Sequence, residues 1–293
     1  MNKVKKILVS GSTGQLGSEL KVVQAAYPQF KIEFRNRKQL NLASEKSIKS
    51  NLAKNYDVFI NAGAYTAVDK AESELSKVRA VNTTALKHIA KHAPKTTKII
   101  HISSDYVYHI DSDNLLQETD KTEPKGKYAK TKLAGEQFLL KKRPDSIILR
   151  TSWVYSSFGN NFVKTMLRLG KDRESLNIVA DQYGSPTYAR DLAKAILDII
   201  AEYDQPNIQQ LPKQGIYNYS NLGMTNWSEF AKEIFRQNKI KCKVGTTTTK
   251  AFNAPAPRPL WSMMSKQKFQ ETFYQDIPHW KKSLRRCLDQ LNK

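Results

Sequence analysis

Lys6-Ile7-Leu8-Val9 runs directly into Ser10-Gly11-Ser12-Thr13-Gly14-Gln15-Leu16-Gly17. The apolar run predicts a buried strand, and Leu16, Leu20 and Val23 recur at helical spacing, predicting a helix over 16–26. Glycines 11, 14 and 17 therefore stand in G-x-x-G-x-x-G spacing at a strand-to-helix turn. Without side chains, such a turn lets the backbone approach a diphosphate, while the helix N-terminus offers amide donors and a favourable dipole. The alternative is a turn that merely packs strand against helix; the strand before and helix after it favour binding.

Further strands are predicted at Lys31–Phe34, Val58–Asn61, Lys98–Ile102 and Ser146–Arg150, with helices at Leu16–Ala26, Ser44–Lys54, Glu74–Lys91 and Ala129–Leu140 between them. Strands alternating with helices make an α/β protein with a Rossmann-type, doubly wound parallel sheet, its ligand at the carboxyl ends of the strands. After Arg150 the rhythm changes. Helices are predicted at Phe162–Leu169, Ala189–Tyr203 and Trp227–Gln237, the last capped by Thr225 or Asn226. Asp181–Thr187 is turn-rich, Pro206–Pro212 reads as a loop, and Ala254–Pro259 is too proline-rich for helix or strand. The expected organisation is a dinucleotide-binding domain over 1–151 and a smaller, interleaved substrate domain over 152–293, some of whose segments return to the first.

The chain of 293 residues is 40% hydrophobic and 10% aromatic, which is globular rather than disordered composition. Its apolar runs are too short for a bilayer, and no apolar stretch follows the charged N-terminus as in a secretory signal. Cys242 and Cys287 are too few for a disulfide framework. These features predict a reduced, cytoplasmic protein. The net charge of +21 invites a nucleic-acid reading, but the lysines are spread along the chain without a zinc-finger or aromatic RNA-binding motif. A solvated lysine-rich surface, with a basic cleft for an anionic small molecule, is the better account.

Tyr128-Ala129-Lys130-Thr131-Lys132 places a phenol and an ammonium on one helix face. Ketone reduction needs a hydride at carbon and a proton at oxygen. A phenol gives up its proton reluctantly, and a lysine one turn away favours phenolate and can reach a cofactor ribose. Ser103 and Ser104, after the fourth strand, offer hydroxyls to polarise a carbonyl. A Tyr/Lys pair alone would be an ordinary solvated face; the glycine turn and the serines upstream change that judgement. The second strand ends in Phe34-Arg35-Asn36-Arg37-Lys38, with no acid to bind a ribose diol and repel a 2′-phosphate. This favours NADPH, with Arg35 and Arg37 as phosphate contacts and NADH as the alternative. His88 and His92 stand one turn apart, yet their helix carries no acid at matching spacing, so they read as a surface pair and no metal site is expected.

At this point the chain resembles the dTDP-4-dehydrorhamnose reductases, a branch of the extended short-chain dehydrogenase/reductase family, over nearly its whole length. The resemblance rests on Ser12–Gly17, Ala64–Glu72, Ser104–Tyr108, Tyr128–Glu136, Arg150–Tyr155, Gly159–Met166, Asp181–Thr187 and Arg258-Pro259. It implies reduction of the C4 ketone of dTDP-4-dehydro-L-rhamnose, with Tyr128 as proton donor, Lys132 as its partner and Ser104 where threonine is usual. It implies cofactor contacts from Gly11, Thr13, Gly14, Gln15, Leu16, Gly17, Arg35, Arg37, Asn41, Leu42, Asn61, Ala62, Gly63 and Ala64, besides Tyr128 and Lys132. Val68, Ser104, Asp105, Trp153, Asn161 and Arg258 are implied on the substrate side, Trp153 against the deoxysugar and Arg258 toward a diphosphate.

Four positions depart from the family pattern: Leu115-Leu116 before the catalytic helix, Gly126 two residues before Tyr128, Trp261 after Arg258-Pro259, and Asn41 in place of an acid. The alternatives are a reductase for another nucleotide-linked 6-deoxy sugar and a non-catalytic, dinucleotide-binding regulatory subunit. A magnesium requirement is left open, as is assembly as a homodimer.

Overall fold

The computed structural model describes residues 4–110, 113–202 and 213–293. Strands β1 (Lys5–Ser10), β2 (Phe30–Phe34), β3 (Val58–Asn61), β4 (Lys98–Ser104) and β5 (Ile147–Thr151) lie parallel in the order β2-β1-β3-β4-β5. Helices α1 (Gln15–Val23), α2 (Glu45–Leu52), α3 (Val68–Ala71), α4 (Leu75–Arg79), α5 (Ala85–His92) and α6 (Gly126–Lys142) fall between them. After β5 come α7 (Phe162–Asp172), α8 (Ala189–Glu202) and α9 (Trp227–Gln237).

Alternation along β1 explains the layering. Ile7 and Val9 join one core with Leu20 of α1 and Ile196 and Ile200 of α8; Leu8 joins another with Ile48 of α2 and Leu86 and Ile89 of α5. Both faces of the sheet are thus covered, as a parallel sheet requires. The chain leaves β1 toward β2 on one side and β3 on the other. This reversal opens a crevice at the carboxyl ends of β1 and β3.

Two elements differ from expectation. A sixth parallel strand, Gly215–Asn218, pairs with β5. Its apolar run is only Ile216-Tyr217, and Lys268 Nζ covers it by donating to the Ile216 carbonyl at 2.8 Å. The helix expected over 74–91 is broken by a π-helical segment, Ala80–Thr84, between α4 and α5. There Asn82 grips the backbone of Tyr65: its Oδ1 accepts from Tyr65 N (2.9 Å) and its Nδ2 donates to Tyr65 O (3.1 Å). A local widening of the helix that serves a neighbouring loop is a common use of such turns.

A third core gathers Tyr155, Val163, Met166, Phe230, Ile234, Trp280 and Leu284 from the second half of the chain. The parallel pair Ser175–Val179 and Lys243–Thr247 flanks it. Meanwhile α8 packs on α1, and Phe269 and Phe273 of helix Gln267–Phe273 join the core under the main sheet. Among the described residues, no helix is long and apolar enough to cross a membrane. The predicted loop Pro206–Pro212 and residue Tyr203 lie outside the described residues.

Candidate active site

The turn after β1 is shaped by close approach. Gly11 adopts φ +67°, and a Cβ there would stand 2.7 Å from the Gly63 backbone after β3. A Cβ on Gly17 would come within 2.3 Å of the Gly11 carbonyl, so α1 can dock against the turn only with glycine there. α1 starts from Gly14 without a side-chain cap and without an acid in its first turn. Its first amides are therefore left to an anion. Residues Gly11 and Thr13 to Leu16 line a cleft of about 1130 Å³, of a size for an extended dinucleotide and a second ligand.

Arg37, Asn41, Leu42, Ala62, Gly63 and Ala64 line the same cleft, whereas Gly17, Arg35 and Asn61 do not. Arg35 is drawn aside by Glu33, to whose Oε2 its Nη2 donates at 2.6 Å, and the same oxygen accepts from Tyr56 OH. Asn61 works from below. Its Oδ1 accepts from Ser10 Oγ (2.7 Å), and that hydroxyl oxygen in turn accepts from Gly63 N at 3.3 Å. Asn61 Nδ2 lies 3.1 Å from Nδ1 of buried His101 on β4.

Tyr128 and Lys132 occupy the first turns of α6 and both face the cleft. Burial lifts the Tyr128 phenol above its ordinary value, and the neighbouring Ser104 hydroxyl opposes the shift. Tyr106 meets the Tyr128 ring edge-on with centroids 5.6 Å apart. Lys132 is 2% exposed, and its Nζ donates to the Ile102 carbonyl at 2.7 Å. Burial pushes its ammonium down to about 8, with Glu136 one turn on pulling the other way. Ser104 Oγ donates to Asp105 Oδ1 at 2.9 Å. Burial raises the Asp105 carboxyl to about 6. A phenol kept protonated, an ammonium close to its titration point and a hydroxyl thus converge beside the glycine turn. Such a set can deliver a proton to a carbonyl oxygen.

Val68, Asp105, Trp153 and Asn161 line the same cleft. Trp153 holds φ +49°, a left-handed conformation costly for a bulky residue. Its ring stacks on Trp227 at 3.7 Å, and the bare Cα of Gly184 leaves room for it. Asn161 caps α7, its Oδ1 accepting from Lys164 N, while its Nδ2 donates to Gln15 Oε1 at 3.0 Å. Arg258 does not line the cleft. Its Nη2 donates to both oxygens of Asp69, at 2.9 and 2.7 Å.

Three of the departures acquire reasons. Gly126 opens α6 at φ +77°, where a Cβ would press on Glu72 and on the Pro257 ring. Leu116 is buried and bridges to Met264, its N donating to Met263 O at 2.7 Å. Trp261 packs on that same cluster and donates from its indole to the Asn114 carbonyl at 2.7 Å. Leu116 and Trp261 therefore form one unit, the second filling space beside the first.

A protein-family model described as "RmlD substrate binding domain" matches residues 5–293. dTDP-4-dehydrorhamnose reductase of Salmonella typhimurium is 38% identical over 295 residues, covering 97% of each chain. The chain belongs to the dTDP-4-dehydrorhamnose reductase family. Spore coat polysaccharide biosynthesis protein SpsK of Bacillus subtilis is 34% identical, again over 97% of each chain. Among solved structures, dTDP-4-dehydrorhamnose reductase of Clostridium acetobutylicum superposes with a TM-score of 0.91 at 34% identity, covering 98% of this chain and 100% of its own. The Bacillus anthracis enzyme in complex with NADP gives 0.90 at 33% identity, covering 98% and 99%.

Within this family fold, sequence reasoning missed cleft-lining residues such as Tyr65, Tyr106 and Thr151, and four neighbours that shape the lining. Asn82, Asp69, Trp227 and Gly184 touch the cleft-lining segments without carrying a recognisable chemical motif themselves. Asp69 lies inside the Ala64–Glu72 string, and Gly184 inside Asp181–Thr187; those strings were the available signal.

Proposed function

We propose that this protein reduces the C4 ketone of dTDP-4-dehydro-L-rhamnose with NADPH, giving dTDP-L-rhamnose. The observation that carries this is the convergence of Tyr128, Lys132 and Ser104 in one cleft with the glycine turn. The crowding at Gly11 and the uncapped start of α1 fit a dinucleotide diphosphate. Gly14 and the amides opening α1 would hold that diphosphate, Arg37 the 2′-phosphate and Lys132 the nicotinamide ribose. When bound, the nicotinamide supplies the hydride.

The chain's own residues manage the proton. Ser104 turns its hydroxyl from Asp105 to the ketone oxygen, and Tyr128 donates its phenolic proton to that oxygen. The Lys132 ammonium stabilises the phenolate left behind. Trp153, held by Trp227 and Gly184, lines the cleft and would bring its apolar indole to the 6-deoxysugar. Residues 152–293 supply part of this substrate side through Trp153 and Asn161, while Val68, Ser104 and Asp105 join it from residues 1–151, which also hold the cofactor side. The buried thiols of Cys242 and Cys287 suit a reducing, cytoplasmic setting.

The test is NADPH oxidation followed at the nicotinamide absorbance, with dTDP-4-dehydro-L-rhamnose generated in the cuvette and the product sugar identified. Rapid oxidation yielding dTDP-L-rhamnose supports the assignment. NADPH binding without turnover of this sugar overturns it.

A further inference from the structure

His88 and His92 lie one turn apart on α5, ring centroids 6.5 Å from each other. Their own helix offers no acid, but the fold brings one from elsewhere. Glu45 is the first residue of α2, whose N-cap Ser44 fixes the opening turn by accepting from Ser47 N. Glu45 Oε1 lies 2.8 Å from His92 Nε2 and 3.4 Å from His88 Nδ1. One ligand atom from each of the three residues falls within 4.8 Å of the other two. The expectation of a mere histidine pair thus omitted a third group supplied by a different helix.

We propose that Glu45, His88 and His92 form a binding site for a divalent transition-metal ion of the zinc class, with water completing its coordination. Two imidazoles at i and i+4 project from one helix face as a ready chelate. Imidazole nitrogens select borderline ions such as zinc, copper and nickel over magnesium or calcium, which prefer all-oxygen shells. Around a tetrahedral zinc with bonds of about 2.0–2.1 Å, neighbouring ligand atoms stand roughly 3.3 Å apart. The His88–Glu45 separation of 3.4 Å already has that value, and the 2.8 Å His92–Glu45 contact needs only a small opening.

Access is open on one side. The side chains of His92, His88 and Glu45 are 13%, 23% and 42% exposed, so water can reach a metal held there. The facing charged group is Lys91, whose Nζ donates to the same Glu45 oxygen at 2.9 Å but is itself 66% exposed and free to swing into solvent. A metal here would tie α2 to α5. It would also brace the segment before Glu45, whose Arg37 and Leu40 to Ala43 line the cleft.

The experiment is calorimetric titration of the purified, metal-free protein with Zn2+, alongside visible absorption with Co2+. Wild-type protein should bind one equivalent with micromolar affinity, and the Co2+ complex should show the intense bands of a four-coordinate ion. His92→Ala, His88→Ala and Glu45→Gln should each weaken binding at least tenfold while keeping the far-UV spectrum. Lys91→Ala should tighten it severalfold, since the ammonium that shares Oε1 is gone. That variant alters only an exposed side chain and keeps the test decisive if a ligand variant folds poorly. No saturable binding, or unchanged affinity in His92→Ala and Lys91→Ala, overturns the site; the latter result would place the metal on other groups.

Discussion

Asp69 holds Arg258 through two hydrogen bonds from one guanidinium nitrogen, across 189 positions of sequence. Asp69 Oδ1 also accepts from Ala256 N at 3.2 Å, so the carboxylate ties the proline-rich loop to α3, whose Val68 lines the cleft. The charge expected to meet a substrate diphosphate is therefore stored against an acid beside the cleft. Arg258→Met should raise the KM for the nucleotide sugar about 10- to 100-fold, the worth of one charge-assisted hydrogen bond, with NADPH affinity unchanged. Asp69 is half-exposed, so Asp69→Asn should alter thermal stability little. Steady-state kinetics with each substrate varied separately decides the point; an unchanged sugar KM in Arg258→Met removes Arg258 from recognition.

Tyr128→Phe deletes one oxygen from a buried ring that Tyr106 and Val78 continue to pack. Turnover should fall by about 10²- to 10⁴-fold, the usual worth of a positioned general acid. NADPH binding, read by fluorescence titration, should stay within twofold. Retained turnover would remove Tyr128 as proton donor.

The parallel sheet was legible because β1, β3 and β5 are near-continuous apolar runs, and each of the five predicted strands forms. The strand Gly215–Asn218 was not, since it holds only Ile216 and Tyr217 as apolar residues, too short a run to stand out. Similarly, Tyr128 and Lys132 could be paired from the sequence because one helix carries both. Asp69 with Arg258, and Glu45 with His88 and His92, could not. Their partners sit on separate elements whose approach depends on tertiary packing.

The pH profile should separate Lys132 from Tyr128. Burial raises the phenol, so Tyr128 remains a proton donor throughout the neutral and mildly alkaline range. Lys132 is charged below about 8 and loses its proton above it. Since the charged form stabilises phenolate, kcat for reduction should fall as pH rises through about 8. Lys132→Arg, whose side chain stays cationic, should displace that alkaline limb upward even if its maximal rate is lower. A limb that stays in place in the variant would assign it to another group.

Glu136 on α6 and Arg150 on β5 form a buried ion pair, with Nη2 to Oε2 at 2.7 Å and side-chain exposures of 1% and 3%. Arg150 also lies over the Tyr108 ring, 4.7 Å from its centroid. Neutralising Glu136 leaves a guanidinium in the interior without its counter-charge. Glu136→Gln should cost about 3–5 kcal/mol in urea unfolding. A loss below about 1 kcal/mol would mean that water or Tyr108 compensates the arginine.

Arg37 and Arg35 make opposite predictions although they stand two residues apart. Arg37 lines the cleft, while Arg35 is paired with Glu33 at 2.6 Å and does not. Cofactor choice should therefore follow Arg37. Replacing it with Asp removes a guanidinium suited to a 2′-phosphate and adds a carboxylate that repels one. In Arg37→Asp the ratio of kcat/KM for NADPH to that for NADH should fall at least tenfold. Arg35→Ala should shift the ratio by less than threefold, because its charge is already committed to Glu33. If both variants alter the ratio equally, Arg35 leaves Glu33 when the cofactor arrives, and the two arginines share the phosphate.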